Sequence, residues 1–237
     1  MVLSEVFERF VSESPLTVML RVVLEQSLSA DEVNELFEQQ AQRQYHRELL
    51  FSTVVELMSL VVCGISPSIN AAYQSKAKGI GVRIQSVYNK LNDLEPWIVE
   101  ALVRQSVDKA QSLIEQLQGK LPALLEGYRV KILDGNHLAA TEHRLDVLRQ
   151  VGSAPLPGHA LVILDPALML AIDVFACEDG HTQERALLSR VLATVLSGDL
   201  WIADRNFCTL GFLFGIHARG GSFVIRQHGN LSLAGAQ

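Results

Sequence analysis

Apolar positions recur every three or four residues up to about residue 118, and β-type alternation is nearly absent there, so this half reads as helix after helix. Ser29 followed by Glu32 has the spacing of a capping box, and Val33, Leu36 and Phe37 form the apolar stripe behind it. Together they predict a helix over 31–40. A second helix is predicted over 45–62; its later half is apolar on nearly every face, which places it at the centre of this region. Ser66 then stands where it can cap a helix with Pro67 at its first position, and Gly79 and Gly81 permit a tight turn. In the next helix Ile84, Val87 or Tyr88, and Leu91 share one face, leaving Arg83, Gln85, Ser86, Asn89 and Lys90 outward. Residues 66–91 thus have the pattern of a helix-turn-helix with a polar second helix; the alternative is an ordinary helical hairpin.

After Gly119–Gly127, which contains Pro122 and reads as a connection, the period changes. Runs rich in β-branched residues at 128–133, 160–164 and 170–175 predict three strands, with turn chemistry at Asp134-Gly135, Pro155–Gly158 and Asp165-Pro166. An amphipathic helix over 182–196, a strand over 200–203, a helical piece after Phe207 and a strand over 222–226 complete a β-β-β-α-β-α-β order. The expected class is α+β, with an all-α region over 1–126 and an α/β region over 127–237.

With 237 residues and 49% of them hydrophobic, the chain can fill two cores. The longest apolar stretch, Leu57 to Ile65, falls far short of the roughly 20 residues a membrane span needs. Glu5, Glu8 and Arg9 interrupt the start where a secretory signal needs an apolar run, so a cytoplasmic protein without a membrane partner is expected. Cys63, Cys177 and Cys208 show no CxxC pairing and suggest neither a disulfide framework nor a zinc site. A net charge of −6 argues against a nucleic-acid partner, but its distribution reverses the argument. Between Glu56 and Asp93 there is no acid, while Lys76, Lys78, Arg83 and Lys90 all fall there, on the helix-turn-helix pattern.

Asp134 and Asp204 each close a predicted strand, and two carboxylates at one sheet edge suit magnesium, which prefers hard oxygen ligands. Phosphodiester chemistry uses a pair of such ions roughly 3.5–4 Å apart. The plain alternatives are a turn dipeptide for Asp134-Gly135 and a helix cap for Asp204. Asp165, before a proline, and Asp173, within a strand, read as turn and surface residues.

LDGNHLAATEHR (133–144), GHALVILDPALMLAIDVFACEDGHTQERALL (158–188) and WIADRNFC (201–208) resemble, in order, catalytic-domain segments of the DDE transposases of the bacterial IS-four insertion-sequence group. FSTVVELMSLVV and SVYNKLNDLEP are similar to that group's helical N-terminal half, so the resemblance spans essentially the whole chain. It implies a ribonuclease-H-like domain with a mixed sheet and a metal-dependent DNA strand cleavage and transfer activity. Asp134 and Asp204 become the first two ligands of Mg2+, with Mn2+ as a substitute. Arg205 and Asn206 are implied to position substrate; Arg226, ending the last predicted strand, reads as a phosphate contact or as an ordinary edge-strand charge. His181, Gln183 and Glu184 match a recurrent stretch of the group and are read as structural, with His181 or Thr182 capping the helix and Glu184 at its positive end. Double-stranded DNA at transposon ends is the implied partner, bound by Lys76, Lys78, Arg83, Gln85, Asn89, Lys90, Arg205 and Arg226.

The group's third acid, a glutamate in a Y-R-E-type motif, lies on a helix beyond the last strand. Residues 205–237 contain no Asp or Glu, so a truncated catalytic domain, inactive alone, is expected. Three further readings remain open. One is a DNA-binding remnant that regulates a full-length transposase, as a homodimer or a mixed dimer. Another is a different metal-dependent nuclease completed by Glu142 or Asp173. The last, a Cys208 and His217 nucleophilic pair, lacks an orienting group and an oxyanion motif.

Overall fold

The computed structural model describes residues 28–44, 48–138, 158–177 and 184–227. It divides into two compact units, Met1–Lys109 and Ala110–Gln237. The first unit is helical: α1 (Ala30–Gln40), α2 (Phe51–Val62), α3 (Ile69–Lys76), a 3-10 turn at Ala77–Gly79, α4 (Ile84–Asn92) and most of α5 (Pro96–Gln116). No helix among the described residues is long and apolar enough to cross a membrane.

Helix α1 starts as its sequence dictates. The Ser29 hydroxyl oxygen accepts the Glu32 N–H, and Val33, Leu36 and Phe37 are buried. The Glu32 carboxyl is held below its ordinary range, first by the Lys109 ammonium and then by the Ser29 hydroxyl. The helix predicted over 45–62 begins later, at Phe51; Tyr45 lies outside the described residues. Tertiary bonds claim the backbone before it. The buried Glu95 carboxylate accepts the N–H groups of Gln42 and Arg43, and the Leu49 carbonyl accepts the Lys90 ammonium. Phe51, Val54, Leu57 and Leu60 then enter the core, where the Phe37 and Phe51 ring centroids stand 4.9 Å apart. Ser68, not Ser66, caps α3 by accepting the Ala71 N–H, because the Ser66 N–H is drawn back to the Leu60 carbonyl.

The second unit carries five strands: β1 (Arg129–Leu138), β2 (Gly158–Asp165), β3 (Leu170–Cys177), β4 (Asp199–Ala203) and β5 (Ser222–Ile225). Their order is β3-β2-β1-β4-β5. Strand β1 pairs antiparallel with β2 and parallel with β4, β2 antiparallel with β3, and β4 parallel with β5, so the sheet is mixed as expected. Parallel neighbours need crossovers. A 3-10 turn at Glu184–Leu187 with α6 (Leu188–Leu192) precedes β4, and α7 (Leu210–His217) links β4 to β5. Their apolar sides meet Leu133, Leu161, Ile163, Phe175 and Trp201 in one core. The predicted connection 119–127 belongs to this unit, where the Leu121 N–H donates to the Ala167 carbonyl.

Two predicted elements differ. Asp134-Gly135 is not a turn: β2 offers a full antiparallel ladder from Leu164 to Gly158, and β1 follows it to Leu138. The helix predicted over 182–196 ends at Leu192, with Thr182 outside the described residues. Its β-branched stretch favours other bonds: the Thr194 hydroxyl donates to the Val191 carbonyl, and the buried Asp199 carboxylate accepts the Leu196 N–H.

Asp165 and Asp173 are buried rather than on the surface. Asp165 ends β2 in the predicted turn, and its carboxylate takes the Lys131 ammonium at 2.6 Å and the Ala167 and Leu168 N–H groups. Burial alone raises its pKa; Lys131 and the two amides outweigh that, and the net direction is down. A carboxyl whose folded pKa is lowered contributes stability above its unfolded pKa and loses it as pH falls through the lowered folded value. Asp165→Asn is therefore expected to cost about 2 kcal/mol at neutral pH. Urea unfolding of wild type and variant at pH 7 and near pH 2.5 checks this, since the difference should shrink at the acid end.

Candidate functional site

The β1–β4 ladder ends at Leu133↔Ala203. One further step along both parallel strands gives Asp134 and Asp204, each the residue after the last β1–β4 pair. Both are exposed, where the parallel β1–β4 pairing ends in the carboxyl-terminal direction. Asp134 does not close its strand; it marks the point where β4 departs while β2 continues. Successive strand residues alternate faces. Leu133 faces the helix-covered core, so Asp134 projects from the other face, and Asp204, following Ala203 in extended backbone, does the same.

Each aspartate is held locally. Asp134 Oδ1 accepts its neighbour Gly135's N–H at 2.9 Å, and Asp204 Oδ1 accepts the Asn206 N–H at 2.8 Å, capping the 3-10 turn Arg205–Phe207. The cap that stood as the plain alternative for Asp204 is thus present, on a 3-10 turn. It leaves the second oxygen of each carboxylate without a hydrogen bond among the described residues.

Glu184 was missed as a neighbour of this edge. It opens a 3-10 turn rather than an α-helix, and its Oε2 accepts the Asn206 side-chain amide at 2.7 Å. Its Oε1 lies against Gly135, where a Cβ would overlap it. The sequence did carry a signal: a glycine inside a strand costs about 0.5–1 kcal/mol and marks a close approach. Glu184 meets β1 on the core face and does not join the aspartates on the other. No group of three His, Cys, Asp or Glu residues able to hold a metal occurs among the described residues.

Asp173 lies opposite Ile163 on β2, in the row of Leu133, on the core face and two strands from β1; it does not complete the aspartate pair. Glu142, His181 and Gln183 lie outside the described residues. Arg205 is exposed beside Asp204, and Arg226 is exposed just past the end of β5. Cys208 is buried and His217 ends α7 on the exposed side, with no bond joining them among the described residues. A cavity of about 360 Å³ lies at the opposite, amino-terminal end of the parallel strands, lined by Lys131, Asp165, Asp173 and Trp201. The Lys131–Asp165 pair stands there.

In the first unit the polar face of α4 is only partly available. Lys76 pairs with Glu56 at 2.7 Å, so the acid bounding the acid-free window folds back onto it. Lys90, expected outward, is half-buried; its ammonium donates to the Leu49 carbonyl at 2.8 Å and stands 4.5 Å over the Phe37 ring. Burial pushes its pKa down. Val87, not Tyr88, takes the buried position. Lys78, Arg83, Gln85 and Asn89 remain exposed, with the Gln85 amide donating to Asn89.

No protein-family model matches the chain, and no curated protein matches it.

The Gly135–Glu184 approach makes a measurable prediction. Gly135→Ala displaces the carboxylate and its bond to Asn206, at a cost of about 1 kcal/mol. In a Glu184→Ala background the same change should be neutral or stabilising, because alanine is favoured over glycine in a strand. Denaturant midpoints of the four proteins give the coupling.

Proposed function

We propose that this chain is a DNA-processing protein of the DDE transposase type, with a ribonuclease-H-like second unit and a DNA-binding first unit. The observation that carries the reading is the placement of Asp134 and Asp204, both exposed, one step beyond the last β1–β4 pair. Ligands of open α/β sheets bind at the carboxyl ends of parallel strands, and these aspartates stand there. Two exposed carboxylates of adjacent strands are a hard-oxygen donor set that suits a hydrated Mg2+ or Mn2+ ion and a substrate phosphate. Such an ion supplies charge neutralisation at the phosphate and a lowered pKa for the attacking water. Arg205, beside Asp204, is set to meet the phosphate backbone; Arg226 is assigned the same role.

Residues 205–237 contain no Asp or Glu, and among the described residues two acids stand at this edge, where two-ion chemistry needs a further hard ligand. Binding of DNA without cleavage is the second reading, and it needs only the basic residues of the first unit, of which Lys78 and Arg83 are exposed. Residues 1–237 alone are expected not to nick duplex DNA from the flanks of their gene with Mg2+ or Mn2+. Nicking that disappears in Asp134→Ala would show a complete site and overturn the two-acid reading.

The DNA surface divides by burial. Lys78→Ala with Arg83→Ala is expected to weaken duplex binding and to reduce the slope of log affinity against log salt by about one for each phosphate no longer neutralised. Lys76→Ala and Lys90→Ala should instead lower the thermal midpoint, because their charges are bonded within the unit. Fluorescence anisotropy over a salt series separates the two; unchanged binding in the Lys78/Arg83 variant removes α4 as the recognition element.

A further inference from the structure

We infer that Glu184 is a positioning residue that ties the turn carrying Asp204 to strand β1 beside Asp134. The inference rests on the proposal that these two aspartates form the ion-binding edge. Three hydrogen bonds and one close packing contact carry it. Asn206 Nδ2 donates to Glu184 Oε2 at 2.7 Å, and the next residue, Arg185, donates from Nε to the Asn206 carbonyl at 2.7 Å. Asn206 is thus gripped at both its side chain and its backbone. Its own N–H donates to Asp204 Oδ1 at 2.8 Å, so a continuous chain runs from Glu184 through Asn206 to the second aspartate. The other oxygen of Glu184 rests on Gly135, the residue after the first aspartate.

This edge needs such a tie. The β1–β4 ladder stops at Leu133↔Ala203, so no strand bond fixes Asp204 against Asp134. Asp204 is exposed at the start of a three-residue 3-10 turn, and a turn of that length in water is weakly constrained by itself. Carboxylates that share ions a few ångströms apart must be held to about half an ångström by the shell behind them. Glu184 supplies that shell from the core face, where it is no ligand. A role confined to the start of a helix would leave its carboxylate on its own turn; here it reaches across to two other elements.

The test uses the full chain with Glu184→Ala, Glu184→Gln and Asp204→Asn. Amide exchange at Asn206 reads the tie itself, and broadening of the amide signals around residues 134 and 204 by added Mn2+ reads ion binding. Glu184→Ala is expected to speed Asn206 exchange about tenfold and to weaken Mn2+ binding by about tenfold or more. Glu184→Gln keeps an oxygen that accepts from Asn206 and should restore both to within roughly threefold. Asp204→Asn should remove the broadening. Unchanged Asn206 exchange in Glu184→Ala overturns the tie, whatever the ion does. Mn2+ binding that Asp204→Asn abolishes and Glu184→Ala leaves intact overturns the positioning role. If wild type binds no Mn2+ in an Asp204-dependent way, the two-aspartate proposal fails and takes the positioning role with it, while Asn206 exchange still reports the tie.

Discussion

The parallel pairing of β1 with β4 is the constraint on which the second unit depends. Parallel strands cannot be joined by a hairpin, so the chain between β3 and β4 has to leave the sheet and return, and the 3-10 turn with α6 is that crossover. Its helices then have one face to cover, and Leu187, Leu188 and Val191 meet Leu133, Leu161 and Trp201 there. The same pairing decides where acids accumulate. Because β1 also has an antiparallel partner, it outlasts β4, and the point of divergence leaves Asp134 and Asp204 side by side in solvent.

Several buried charged groups in the two units are met by specific partners, and this shapes which charges remain for function. Glu95, almost wholly buried, accepts two backbone N–H groups from the segment before α2, so it ends one chain direction and starts another. Lys90 performs a comparable task for the Leu49 carbonyl, with its ammonium over the Phe37 ring. Asp165 and Lys131 neutralise each other at the amino-terminal end of the parallel strands. A buried charge left unpaired is far more costly than the pair is favourable, so these residues are committed to the fold. Of the charges that the sequence pointed to for function, Lys78 and Arg83 in one unit and Asp134, Asp204, Arg205 and Arg226 in the other stay exposed.

Local chemistry is legible wherever the deciding interaction lies within a few residues. Ser29 and Glu32 announce α1, and Val33, Leu36 and Phe37 its buried stripe, because capping and helical period are short-range properties. The strands over 128–133, 160–164, 170–175, 200–203 and 222–226 were readable from β-branched runs, and each strand of the sheet overlaps one of them. Asp-Gly misled, since a dipeptide frequent in turns also serves inside a strand when a partner ladder continues past it and another side chain needs the room.

By itself the sequence determined the succession of elements, the α+β class and the two aspartates as residues to watch, because period, caps and β-branching act over short distances. Tertiary structure alone decided the strand order, and with it that residues seventy positions apart become neighbours. It also decided that Lys76 and Lys90 engage their charges internally and that Glu184 reaches Asn206 and Gly135. Those outcomes depend on which distant backbone and side-chain groups come within a hydrogen bond of one another, and no local pattern encodes that distance.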